Sequence, residues 1–296
     1  MKRWKPNVYL MLAVLALGFG CLAVASAAEN PYKTEVEEWR VEREDGLKSD
    51  EGWLTVAGLY WLNEGENRFG ADPLNDFVLP EGSAPANVGI FDFRNGEVSV
   101  RVEPGVKVTQ HGKPIEKVTM KMGSEDAISI GDLKLWVHYS GERLAIRLRD
   151  LNSSLRKDFT GLHWFPVTEE YRVDARFVPY DEPKEFEMVN VLGDVETFKS
   201  PGYVVFQLGG KEYELQAASG NETRLWFVFR DLTSRKETYP AARFLTGARG
   251  EGNSVDLDFN KAYNPPCAFN PYTTCPVPPK QNRLPIRIEA GEMRYH

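Results

Sequence analysis

"FGADPLNDFVLPEGSAPANVGIFDFRNGEVSVRV", Phe69–Val102, is the stretch whose reading decides the fold. Its runs NDFVLP, VGIFDF and EVSVRV are rich in branched and aromatic residues and are divided by Gly, Pro and Asn. Branched and aromatic side chains fill a pleated, half-buried surface, and the dividing residues supply turns. Short strands at this spacing read as an all-β sandwich. Nearly every segment from Phe69 to Gly131 keeps the pattern, so a small β-sandwich is expected over residues 65–131.

Beyond it the strands lengthen. LKLWVHY, RLAIRLRD, EYRVDARFVPY, KEFEMVNVLG, TRLWFVFRD, SVDLDF and LPIRIEAGE alternate in polarity, and FQLGGKEYEL is a hairpin about Gly209-Gly210. Antiparallel strands of this length predict a curled sheet or barrel over residues 132–296, packed against the sandwich. On the N-terminal side, Thr34-x-x-Glu37 forms a capping box, and Val36, Trp39, Arg43 and Leu47 recur on one helical face. The helix and the aromatic segment GWLTVAGLYWLNEGENRFG, read as two short strands with Trp53 and Trp61 inside, occupy residues 28–64. The fold class is therefore mainly β: one N-terminal helix, a β-sandwich, then the curled sheet or barrel.

The first residues have a different physics. Lys2, Arg3 and Lys5 precede an almost wholly apolar run, Val8 to Ala25, and Ala25-Ser26-Ala27 follows. That order predicts a signal peptide over residues 1–27, cut after Ala27, with a retained anchor as the alternative. Losing those three cations takes the net charge from -7 to -10. So acidic a chain gains no counterion-release energy on a phosphate backbone, which argues against nucleic acid and anionic membrane surfaces as partners. After cleavage only Cys267 and Cys275 remain, and an even pair in an exported chain reads as a disulfide. A periplasmic or extracellular location is expected, with no membrane attachment after cleavage.

Familiar catalytic patterns are missing. There is no Gly-x-Ser-x-Gly elbow or His-Glu-x-x-His helix, and Ser154-Leu155-Arg156-Lys157 lacks the companions of a Ser-x-x-Lys dyad. His138 and His163 read first as structural histidines, and neither a cofactor nor a metal is expected. What remains is polar groups near strand ends. Arg147 and Arg149 share a strand face, and so do Asp256, Asp258 and Asn260. Asp150 in RLRDLNSS and Asp231 in FVFRDLTSR each end a strand, which either caps a turn or opens both carboxylates onto one barrel end. Asp258–Pro285 packs seven prolines and both cysteines into 28 residues. Such a stiff loop is suited to holding Tyr263, Asn264 and Asn282 beside Tyr239 and Arg243, as the rim of a site or as a plug.

Two resemblances add to this reading. Phe69-Gly70, then Asn75 to Pro80, then Gly112-Lys113-Pro114-Ile115, resemble the forkhead-associated sandwich. That family reads phosphothreonine, but its phosphate-reading Arg and Ser-x-x-His turn have no match in EGSAPANVG. GWLTVAGLYWL, LHWFPV, FRDLTSRKETYPAARFL and the tail NPPCAFNPYTTCPVPP resemble the prokaryotic domain-of-unknown-function family numbered sixteen eighty-four, over nearly the whole mature chain. The resemblance brings no activity, but its motif blocks hold Asp231, Thr233, Tyr239, Arg243, Asp258, Asn260, Tyr263, Asn264, Asn282 and Glu289. It implies Gly where Arg235 stands, which sets the tight turn there in question.

Three functions fit. The first is binding of a small polar or anionic ligand in a pocket of the C-terminal half, by Arg147, Asp150, Thr233, Tyr239, Arg243, Asn260, Tyr263, Asn264 and Asn282. The second is a cell-envelope hydrolase with Asp231 and Asp258 as paired carboxylates. The third is a structural or assembly module.

Overall fold

The computed structural model describes Met1 and residues 30–295; the expected signal segment, its cleavage site and Cys21 lie outside the described residues. Helix α1 (Pro31–Lys48) starts three residues ahead of the expected capping box. Pro31 takes the first helical position, where a missing N–H costs nothing, and the Asn30 side chain accepts from Tyr32 N. Thr34 therefore lies inside the helix.

Eleven strands follow in two sheets. They are β1 (Val56–Trp61), β2 (Gly65–Gly70), β3 (Phe77–Val78), β4 (Gly89–Arg94), β5 (Glu97–Val102), β6 (Thr109–Gln110), β7 (Lys113–Pro114), β8 (Lys117–Met120), β9 (Ile128–Ile130), β10 (Leu133–Ser140) and β11 (Arg143–Asp150). One sheet has the order β1-β11-β10-β9-β6-β7 and the other β3-β2-β4-β5-β8. Phe69, Phe91, Val100, Ile128, Leu135, Ile146 and Leu148 fill the space between them. The expected sandwich is present but larger. β10 and β11, read as the start of the barrel half, pair with β9 and β1 in the sandwich instead. Their length is a property of the pair, and only the partner strands, far off in sequence, decide which sheet they join.

After a short helix α2 (Ser154–Lys157), seven more strands form one curled antiparallel sheet: β12 (Arg172–Val189), β13 (Val195–Leu208), β14 (Lys211–Gln216), β15 (Ser219–Gly220), β16 (Arg224–Phe229), β17 (Arg243–Arg249) and β18 (Ser254–Asp258). Their order is β14-β13-β12-β18-β17-β16-β15. The hairpin at Gly209-Gly210 forms as expected, both residues having positive φ, which is the backbone a two-residue hairpin turn needs. The sheet curls until its edges meet. Ala217 N donates to Gly202 O and Ala218 N to Trp226 O, so the chain between β14 and β15 spans the seam. Asn282 staples that seam from the C-terminal loop. Its side-chain oxygen accepts from Gln216 N, and its amide nitrogen donates to Gln216 O and Val228 O.

The inside of the curled sheet is solid. Phe206, Phe227, Phe229, Leu245, Leu257, Phe259, Leu284 and Ile288 pack there as one apolar core. The proline-rich loop lies on the outer face, where Cys275 joins Met188, Val228 and Phe244.

Candidate functional site

β11 presents Arg143, Arg147 and Arg149 on the face turned away from the sandwich core, because Ile146 and Leu148 take the core side. The two outer arginines are neutralised. Arg143 forks onto Asp194 at 3.0 and 2.7 Å and stacks over Trp61. Arg149 holds the Glu51 carboxylate and lies over Trp136. The middle one, Arg147, is 6% exposed and pairs with no carboxylate among the described residues. Its Nη2 donates to His138 Nε2 at 2.8 Å, and its Nε has no partner.

That contact fixes the chemistry of the pair. To accept from a guanidinium, His138 Nε2 must carry a lone pair, so the ring is neutral with its proton on Nδ1. Burial, and then the Arg147 charge, push the His138 pKa down to about 3. Burial likewise lowers Arg147 to about 10, against the weaker pull of Cys275 and Glu196. The proline-rich loop closes over them: Thr274 Oγ1 meets His138 Nε2 at 3.2 Å, and Asn270 Nδ2 donates to Trp53 O. Trp53, expected inside, sits at the border with 36% of its surface exposed. Glu196 also lines a groove of about 840 Å³ together with Tyr139, Arg143, Asp194 and Phe198.

The remaining expected site residues fall into separate networks. Asp231, Thr233 and Arg243 form a fully buried cluster. Asp231 accepts from Arg243 Nη1, Thr233 Oγ1, Thr233 N and Ile288 N, while Arg243 donates to the carbonyls of Ile288 and Ala290. This pair ties the C-terminal tail to the barrel end. Asp258 is at the same end, since β16 and β18 both run antiparallel to β17. It accepts from Tyr32 OH, Asn260 N and Asn260 Nδ2, which docks the start of α1. Asp150 stays in the sandwich and caps its own turn through Asn152 N, so it does not share a barrel end with Asp231.

Asn264 belongs to a third network that sequence reasoning missed. Its N–H donates to Glu292 Oε2 at 3.1 Å, and Arg43 Nε approaches the same oxygen at 3.5 Å. Arg43 also lies over the Tyr263 ring. Glu292 is fully buried, and burial raises its pKa to about 7 against the pull of Arg43. Tyr239 donates to Cys267 O. Cys267 and Cys275 are free thiols in the structure, contrary to the expected bridge, and they lie side by side: Cys267 N donates to Cys275 Sγ at 3.2 Å. The turn at Arg235 survives without glycine, with Arg235 itself at φ 87°.

Residues 157–293 match the family described as Protein of unknown function (DUF1684), so the match covers the barrel half and tail and leaves out the sandwich. A solution structure of an uncharacterized protein of Haloarcula marismortui shares 30% identity, over 47% of this chain and 78% of that one, with a TM-score of 0.39. The FhaA FHA domain complexed with the intracellular domain of Rv3910 is 16% identical over 31% of this chain and 97% of that one, with a TM-score of 0.23. A second FHA domain, from work on phosphothreonine-dependent interactions, gives the same identity and score over 92% of its length. No activity follows from those likenesses. No curated protein matches. By the barrel and its proline-rich tail, the chain belongs to the DUF1684 family.

Proposed function

We propose that this is an exported protein that binds a small anion, a carboxylate or phosphate, at the junction of sandwich and barrel, with Arg147 as its anchor. One observation carries the reading. In a row of three arginines the outer two hold carboxylates, whereas the buried middle one meets a neutral imidazole and the Trp53 ring and pairs with no carboxylate among the described residues. A buried unpaired charge is costly, and a guanidinium is shaped to take an oxyanion in a fork. The packed apolar interior of the curled sheet supports seeking the anion at the border with the sandwich, where Arg147 lies. On export, a disulfide-bearing thiol oxidant of the oxidising compartment exchanges with the neighbouring thiols of Cys267 and Cys275, takes up their two electrons and two protons as it is reduced to its dithiol, and leaves a disulfide that stiffens the loop carrying Thr274 and Asn270.

Native mass spectrometry of the protein from the exported fraction tests this, run beside Arg147→Gln. The wild type is expected to carry a small anion that the variant lacks. The anion-free variant is expected to be at least as stable as the wild type, because it no longer buries a lone charge. A wild type that neither carries an anion nor gains thermal stability from acetate or phosphate, with a variant that is destabilised, overturns the reading.

A further inference from the structure

A second group of arginines stands apart from Arg147. Arg230 follows β16 and forms a parallel bridge with Arg283 of the C-terminal loop. Arg230 N donates to Asn282 O and Leu284 N donates to Arg230 O, so both backbones are held at fixed register. Bridge partners set their side chains next to one another on one side of the sheet. Arg235 lies in the turn that directly follows Arg230, closed by Ser234 N donating to Asp231 O and Arg235 N to Thr238 O, and its side chain is exposed.

None of these three guanidiniums pairs with a carboxylate among the described residues, although the chain is acidic overall. The acids of the same loops are already taken. Asp231 is buried against Arg243, and Arg287 holds both Glu237 and Glu289. Lys280 adds a further exposed cation one turn before Arg283. Arg235 moreover occupies a backbone conformation that favours glycine, with φ 87°. A long cationic side chain kept at a strained position, among like charges, points to a use for that charge.

We infer that Arg230, Arg235 and Arg283 form a second anion site, one that takes a multiply charged tetrahedral oxyanion of the phosphate class. A single carboxylate satisfies one guanidinium fork, whereas a phosphate chain or a phosphomonoester headgroup, with three free oxygens, offers an acceptor to each of the three. The site lies on the barrel and does not depend on the Arg147 junction.

Titration calorimetry with tripolyphosphate at low salt, and sedimentation with vesicles containing phosphatidic acid, whose headgroup is a phosphomonoester, separate a free from a lipid-borne phosphate. The variants are Arg283→Gln and Arg235→Gln, with Arg287→Gln as the control of equal charge change. The wild type is expected to bind at least one probe, about tenfold more weakly after either site substitution and nearly unchanged after Arg287→Gln. Arg147→Gln is expected to leave this binding intact. Loss of binding to neither probe by the site variants, equal loss in the Arg287 control, or no binding by the wild type overturns the inference.

Discussion

Arg235 carries a residue-scale cost that a simple substitution exposes. Its φ of 87° places a Cβ-bearing residue where glycine is favoured, at a penalty of about 1 kcal/mol. Arg235→Gly is expected to raise unfolding stability by about that amount in urea, and a destabilised variant would contradict it. Two other residues set the pH dependence, with opposite signs. The His138 pKa is depressed to about 3, so below its ordinary value of 6.5 the unfolded chain takes a proton that the native ring refuses. Stability on this account falls as pH drops from 6.5 toward 3, by an amount on the order of 3 kcal/mol. Glu292 is raised to about 7, so above its ordinary 4.5 the unfolded chain releases a proton that the native carboxyl keeps. Its contribution makes stability fall as pH rises from 4.5 to 7, by about 3 kcal/mol. His138→Gln is expected to flatten the acid limb and Glu292→Gln the rising limb, each read from denaturant midpoints across pH. An unchanged slope in either variant would remove that residue from the account.

Among the elements, the C-terminal loop does the most joining. Asn282 supplies three hydrogen bonds across the seam of the curled sheet, to Gln216 N, Gln216 O and Val228 O. Asn282→Ala leaves those buried backbone groups unpaired and is expected to cost about 3 kcal/mol or more. A loss under 1 kcal/mol would mean the seam closes without it. The same loop holds Cys267 and Cys275 next to each other. Peptide mapping of exported protein is expected to find them linked, and reduction is expected to lower stability by roughly 2–3 kcal/mol. Two free thiols in that material would contradict the expectation. The elements themselves were largely legible in sequence. Alternation marked the strands of the curled sheet, and Gly209-Gly210 marked its hairpin. The helix was legible as an amphipathic stripe, but its start was not, because Asn30-Pro31 outranked the capping box.

At the scale of the molecule, legibility ended where contacts become long-range. β10 and β11 had the right pattern, but nothing local says that they pair with β1 and β9. Arg147 was legible as a polar residue on a strand face. Its isolation was not, since it depends on Glu51 and Asp194 reaching the neighbouring arginines from distant segments. Arg43 was legible only as a member of the helix stripe and Glu292 gave no signal: they meet because α1 packs on the C-terminal tail, with Arg43 donating to Asn264 O across 221 residues. The two halves meet on the β11 arginine face, where β12–β13 grips Arg143 and the proline-rich loop covers His138. The proposed anion site lies at that meeting, on Arg147, whose guanidinium pairs with no carboxylate among the described residues. The measurement closest to it is the 15N–1H resonance of Arg147 Nε, followed while acetate or phosphate is added to the folded protein. Saturable movement of that signal, absent from Arg143 and Arg149, is the predicted result; an Arg147 resonance that stays still while the anion concentration rises would contradict the account.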